Sequence, residues 1–93
     1  MRIGIVTTTI NIPGAQSLKD KRSVMRRLKD SAVQRMNVSV AEVGAQDRWQ
    51  IAEVAFVTVA ATHEIVERRI ADISHYLRTD PVYVLVTLNT EII

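Results

Sequence analysis

Cysteine is missing altogether from the 93 residues, which rules out disulfides, thiolate metal sites and a thiol nucleophile. Glycine (3) and proline (2) are scarce, so phosphate-cradling loops and flexible linkers have little to be built from. The chain contains no G-x-x-x-x-G-K-[ST], no G-x-G-x-x-G and no G-x-S-x-G. Its two histidines, His63 and His75, stand too far apart in the chain for a helical metal pair, which needs i, i+4 spacing. No metal or cofactor is expected, and each histidine reads as a surface or cap residue. No run of about 18 apolar residues exists, so no helical membrane span is expected. The opening Met1-Arg2-Ile3-Gly4-Ile5-Val6 passes straight into Thr7-Thr8-Thr9, too short an apolar stretch for a signal peptide. A cytoplasmic protein is the expectation.

What is present is ordinary for a globular chain: 47% hydrophobic and 24% charged residues, with length for one domain spanning residues 1–93. The net charge of +2 hides a strong asymmetry. Between Ser17 and Met36, Lys19, Lys21, Arg22, Arg26, Arg27, Lys29 and Arg35 face only Asp20 and Asp30, while the rest of the chain is net acidic. Such an imbalance bears on partners more than on fold.

Residues 2–12 are rich in β-branched types and read as a strand with Val6, Ile10 and Ile12 toward the core, ended by Pro13-Gly14. Ser17 then caps a helix, with Asp20 in a capping-box position and Leu18, Met25, Leu28, Ala32 and Met36 as its buried stripe. This helix ends before Asn37. A short strand covers Val38 to Val43, a turn follows at 44–47, and a longer strand covers Trp49 to Ala61 with Ala52, Val54, Phe56, Thr58 and Ala60 on one side. Thr62 caps a second helix, from about His63 to Arg78, whose stripe is Ile65, Val66, Ile70, Ile73 and Leu77. Asp80-Pro81 breaks it, and Val82 to Thr90 forms the last strand with Val84, Val86 and Leu88 on one side.

The order βαββαβ predicts an α+β, ferredoxin-like fold: a four-stranded antiparallel sheet with two helices on one face. The other face would carry Ile3, Ile5, Thr7, Ile51, Glu53, Ala55, Val57, Tyr83, Leu85 and Thr87, more apolar than such a face usually is in water. A homodimer interface using Ile5, Ile51, Val57, Leu85 and Trp49 is the expectation there, with a ligand or RNA platform as the alternative.

The runs Ile12-Pro13-Gly14-Ala15-Gln16-Ser17-Leu18-Lys19-Asp20-Lys21-Arg22-Ser23-Val24, Asn37-Val38-Ser39-Val40-Ala41-Glu42-Val43 and Asp47-Arg48-Trp49-Gln50 resemble the YlxP-like family of small bacterial proteins. The resemblance spans essentially the whole chain. It implies a ferredoxin-like fold and, because family members are often encoded beside translation-initiation and ribosome-maturation genes, a translation-linked role. It carries no catalytic residues, since the family has no agreed active site.

The most suspicious surface is the first helix, where Lys19, Arg22, Arg26 and Lys29 share one flank and Arg27 points elsewhere. Lys21 falls within the apolar stripe and is expected to reach out past the N-terminal end of the helix. Cations near a helix N-terminus oppose the macrodipole, so their repetition suggests a bound anion. The alternative is a solvated face whose long side chains cover the edge of the core. The residues weighed for nucleic-acid binding are therefore Lys19, Lys21, Arg22, Arg26 and Lys29; acidic side chains of Glu42, Glu64 or Glu67 lying against them would remove the case. An RRM-type sheet is disfavoured because the aromatics are only Trp49, Phe56, Tyr76 and Tyr83. Trp49 reads as a hydrophobic edge or dimer anchor in preference to a stacking platform.

Three functions follow in order. The first is a non-enzymatic module binding RNA or a ribonucleoprotein through the basic helix. The second is a homodimeric interaction or scaffold domain using the open sheet. The third is a small enzyme acting on a phosphorylated or acyl-phosphate substrate at the first loop. Against the third, Pro13-Gly14-Ala15-Gln16 lacks the glycine-rich pattern and the arginine that acylphosphatases use there. Glu53 is a candidate general acid or base only if a dimer buries it, and no nucleophile stands near it in the sequence.

Overall fold

β-Branched residues after Met1 form β1 (Arg2–Asn11), and in the computed structural model, which describes residues 1–93, this strand lies inside the sheet. α1 (Leu18–Met36), β2 (Ser39–Gly44), β3 (Ile51–Ala60), α2 (His63–Thr79) and β4 (Val84–Ile92) follow. The strand order is β2-β3-β1-β4 and every pairing is antiparallel, so the fold is ferredoxin-like and α+β. Neither helix is long and apolar enough to cross a membrane.

The helix boundaries follow from local chemistry. Ser17 Oγ accepts the Asp20 amide at 3.1 Å, which satisfies one orphan donor of α1, and Asp20 Oδ2 reaches back past the cap to accept the Gln16 amide at 3.0 Å. Asn37, left-handed at φ 52°, terminates that helix. Thr62 Oγ1 accepts the Ile65 amide at 3.3 Å and starts α2.

Both helices lie on one face of the sheet. Val6 and Ile10 of β1, Ala52, Val54 and Phe56 of β3, Met25, Leu28, Ala32 and Met36 of α1, and Ile73 and Leu77 of α2 are buried in one cluster. α2 crosses close to β1: a β-carbon at Gly4 would stand 2.5 Å from Val66 Cγ1, too near for any side chain. Thr8 and Thr58 share this dry face because each hydroxyl is bonded, Thr8 to the Thr87 carbonyl and Thr58 to the Asn37 carbonyl.

β4 departs from simple alternation. Thr8 pairs with Leu88 and Thr9 with Thr87, but Ile10 pairs with Leu85, leaving Val86 as the extra residue of a bulge. A bulge shifts the two-residue period by one. Leu85 and Leu88, three apart, therefore both pack against the core, whereas Val84 and Val86 are exposed. The expected face with Val84, Val86 and Leu88 together is thus corrected. Leu85 and Tyr83 likewise leave the open face: Tyr83 is 5% exposed and belongs to the core. Leu85 is removed from the candidate interface for the same reason.

The Tyr83 ring lies 6.1 Å from that of Tyr76, and its hydroxyl is buried without a hydrogen-bond partner. Burial first, then the neighbouring Tyr76, pushes the Tyr83 phenol well above its ordinary range. The neutral phenol is favoured in the folded state, so its contribution is complete below the unfolded phenol pKa of about 10 and is lost as pH rises beyond it. Urea unfolding across the alkaline range should show stability falling above about pH 10. The fall should be smaller in Tyr83→Phe, and identical pH profiles for the two proteins would refute the assignment.

Candidate functional site

The basic helix divides into three groups once folded. Lys19, Arg22, Arg26 and Lys29 are exposed and form no ion pair. With exposed Val33 they fall within about 80° of arc on a helix of 3.6 residues per turn. Arg27 and Arg35 lie on the other flank. Arg27 lines a cleft with Pro81 and Val82, and Arg35 faces Asp72, His75 and Tyr76 of α2. The four-residue flank therefore runs along the side of α1 away from α2, over the β2 edge of the sheet.

Lys21 behaves differently from the expectation. Its position in the apolar stripe holds, but the side chain turns inward and is 1% exposed. Nζ stands 2.6 Å from Glu42 Oε2 and donates to the Ala45 carbonyl at 2.6 Å. Glu42 faces the helices because it pairs with Val54 of β3, and this ammonium is the only polar partner of its Oε2 atom. Lys21 is thus a buried structural cation and leaves the candidate anion site. The proviso concerning Glu42 is met for this one residue. Glu67 is held by His63 at 2.7 Å, and no acidic side chain is paired with Lys19, Arg22, Arg26 or Lys29. Asp20 is engaged by the Gln16 amide in the cap.

The inward lysine also orders the loop between β2 and β3. Ala45 adopts φ 56°, a left-handed conformation that costs a non-glycine residue about 1–2 kcal/mol. Its carbonyl receives both Lys21 Nζ and the Arg48 amide, at 2.6 and 3.1 Å, which holds the turn in place. Further along, the Ile12 amide donates to the Gln50 carbonyl at 2.8 Å, and Gln50 Nε2 donates to the Ala15 carbonyl at 3.1 Å. Loop 45–50 is therefore stitched to loop 12–17 and to the N-terminal end of α1. A cleft of about 610 Å³ opens there, lined by Asn11, Pro13, Asp47, Arg48, Trp49, Gln50 and Ile51. Nothing in the charge or spacing of the sequence marks Arg48 apart from the other arginines, and the fold places it on this cleft. The signal available was its place in the Asp47-Arg48-Trp49-Gln50 run that carries the family resemblance.

The open face is organised by register into rows. Ile93, Ile3 and Val59 form the first, and Glu91, Ile5, Val57 and Ser39 the second. Asn89, Thr7, Ala55 and Ala41 follow. Thr87, Thr9, Glu53 and Gly44 come next, and Val84, Asn11 and Ile51 lie at the far end. Of the expected interface residues, Ile5 and Val57 are neighbours in an apolar block. Ile51 begins β3 at the opposite end, and Trp49, expected to open that strand, lies in the loop before it.

The family profile described as protein of unknown function (DUF503) matches residues 3–90. The chain is also 29% identical over 79 residues to the uncharacterized protein YlxP of Bacillus subtilis (strain 168), across 85% of this chain and 86% of that protein.

Removing Lys21 strands the Glu42 carboxylate. Lys21→Ala should cost about 3–5 kcal/mol in urea unfolding, as breaking one side of a buried pair does. Lys21→Met combined with Glu42→Leu should recover most of it. A single variant as stable as wild type would show that the pair does not hold the turn.

Proposed function

Because the chain belongs to the family of proteins of unknown function DUF503, whose description assigns no activity, we propose a function from the surface chemistry: a non-enzymatic cytoplasmic module that binds RNA or a ribonucleoprotein through Lys19, Arg22, Arg26 and Lys29. The observation that carries this reading is that four cations on one helical flank are exposed and unpaired. Two of them, Lys19 and Arg22, sit in the first turns of α1, where positive charge opposes the helix dipole. An RNA backbone along this flank would relieve that repulsion. Contacts of this kind supply affinity with little sequence preference.

A second reading, compatible with the first, is self-association through the open sheet. It is favoured by the block of Ile3, Ile5, Val57, Val59 and Ile93, which gathers five aliphatic side chains on two adjacent rows. Val57, Val59 and Ile93 are each more than 40% exposed. An apolar patch of this kind is a customary mark of a protein contact. In this reading Ile5 and Val57 are central and Ile51 peripheral.

Binding of labelled single-stranded RNA, followed by anisotropy, should weaken by on the order of 50-fold between about 50 and 200 mM salt, as expected for about four neutralised phosphates. Replacing all four cations by alanine should abolish it while leaving the circular dichroism unchanged. Salt-insensitive association, or none at low salt, removes the proposal. For the second reading, light scattering should give a dimer mass for wild type and a monomer mass for Val57→Arg; a monomeric wild type at high concentration overturns it.

A further inference from the structure

We propose that the cleft between Asn11 and Trp49 receives one unpaired nucleobase, stacked on the Trp49 indole, with the flanking phosphates on Arg48 and the first cations of α1. This rests on the RNA reading above and specifies its ligand as single-stranded.

Trp49 is 49% exposed, whereas Phe56 and Tyr83 are buried and Tyr76 packs against the core, so Trp49 is the one aromatic that folding leaves open. It takes no part in the hydrophobic cluster. An indole face kept in water beside a cleft of about 610 Å³ is a surface to which a base can stack. Neighbouring Arg48 is exposed and without an ion pair.

The cleft also separates base from backbone. Asp47 lines it and repels a phosphate, while the carboxylate and the adjacent Asn11 amide both suit the polar edge of a base. The phosphates are left to Arg48, which lines the same cleft, and to the cations of α1 outside it. The bonds from Ile12 to Gln50, from Gln50 to Ala15 and from Lys21 to Ala45 tie this loop to the start of α1, the end of the helix that carries Lys19 and Arg22. The platform is consequently positioned before any ligand arrives, which limits the ordering cost of binding. A paired A-form helix keeps its bases stacked and would not fill the cleft.

Trp49 is the sole tryptophan, so its emission reports this site alone. The full chain would be titrated at low salt with a labelled ten-nucleotide mixed-sequence RNA and, separately, with the same strand in duplex form. Anisotropy of the label and tryptophan emission are read together. The expected result is quenching by the single strand and little by the duplex, with about tenfold or greater loss of affinity in Trp49→Ala and near-normal binding in Trp49→Phe. Arg48→Ala should lower the salt slope. RNA bound with unchanged emission and a wild-type affinity in Trp49→Ala overturns the cleft assignment and leaves the α1 flank standing. Equal quenching by duplex overturns it too. Absence of any RNA binding overturns both readings. Emission that shifts with protein concentration alone, alongside a doubled mass, assigns Trp49 to a contact between copies and overturns the base-stacking proposal.

Discussion

A lysine ammonium closed off from solvent governs much of this molecule. Lys21 reaches from the first turn of α1 to Glu42 on β2 and to the carbonyl of Ala45 at the turn beyond it. An ammonium is tolerated in such a place only when its charge and protons are answered, and here a carboxylate and a carbonyl answer them. The consequence is geometric. One side chain joins a helix, an edge strand and a loop, and the left-handed Ala45 is held by the carbonyl that accepts two donors.

That same contact sorts the surface charge. Seven cations are spaced along α1, yet Lys21 alone is withdrawn to serve the fold and six remain outside, four of them on one flank. Their angle around the helix axis sets the four off the buried stripe in which Lys21 lies. Lys19 and Arg22, within two residues of it, are exposed and form no ion pair with the Glu42 that neutralises it. Asp20 lies between them in sequence, but its carboxylate is directed to the Gln16 amide and forms no ion pair with either. Unpaired Lys19 and Arg22 thus stand in the first turns of α1, the end of the helix to which the 45–50 loop with Arg48 and Trp49 is bonded.

The open sheet face shows how a single inserted residue redistributes chemistry. Without the bulge at Val86, strict alternation would place Leu85 outward with Tyr83 and Thr87. With it, both leucines of β4 serve the core and the outer surface of that strand becomes Val84, Val86, Thr87, Asn89 and Glu91. The largest apolar block of the face then resides in the first rows of β1 and β3, while Val84 and Val86 of β4 are exposed toward the other end. The Ile3, Ile5, Val57 and Val59 block and the cleft beside Trp49 are thus separated along the sheet.

Much of this was legible in the residue order. Helical spacing of Met25, Leu28, Ala32 and Met36, alternation through Val54, Phe56 and Thr58, and the caps at Ser17 and Thr62 each depend on neighbours a few positions away, and local rules read them correctly. The basic flank was legible for the same reason, since the angle between Lys19, Arg22, Arg26 and Lys29 is a property of any α-helix. Tertiary structure alone decided the fate of Lys21, because whether a lysine in an apolar stripe snorkels or turns inward depends on an acidic partner supplied by a strand some twenty residues away. It also decided the β4 register, set by pairing with β1, and the meeting of Trp49 with the α1 end, set by hydrogen bonds between two loops. Local preference determines which face a residue occupies; what stands opposite that face is determined only when the chain closes on itself.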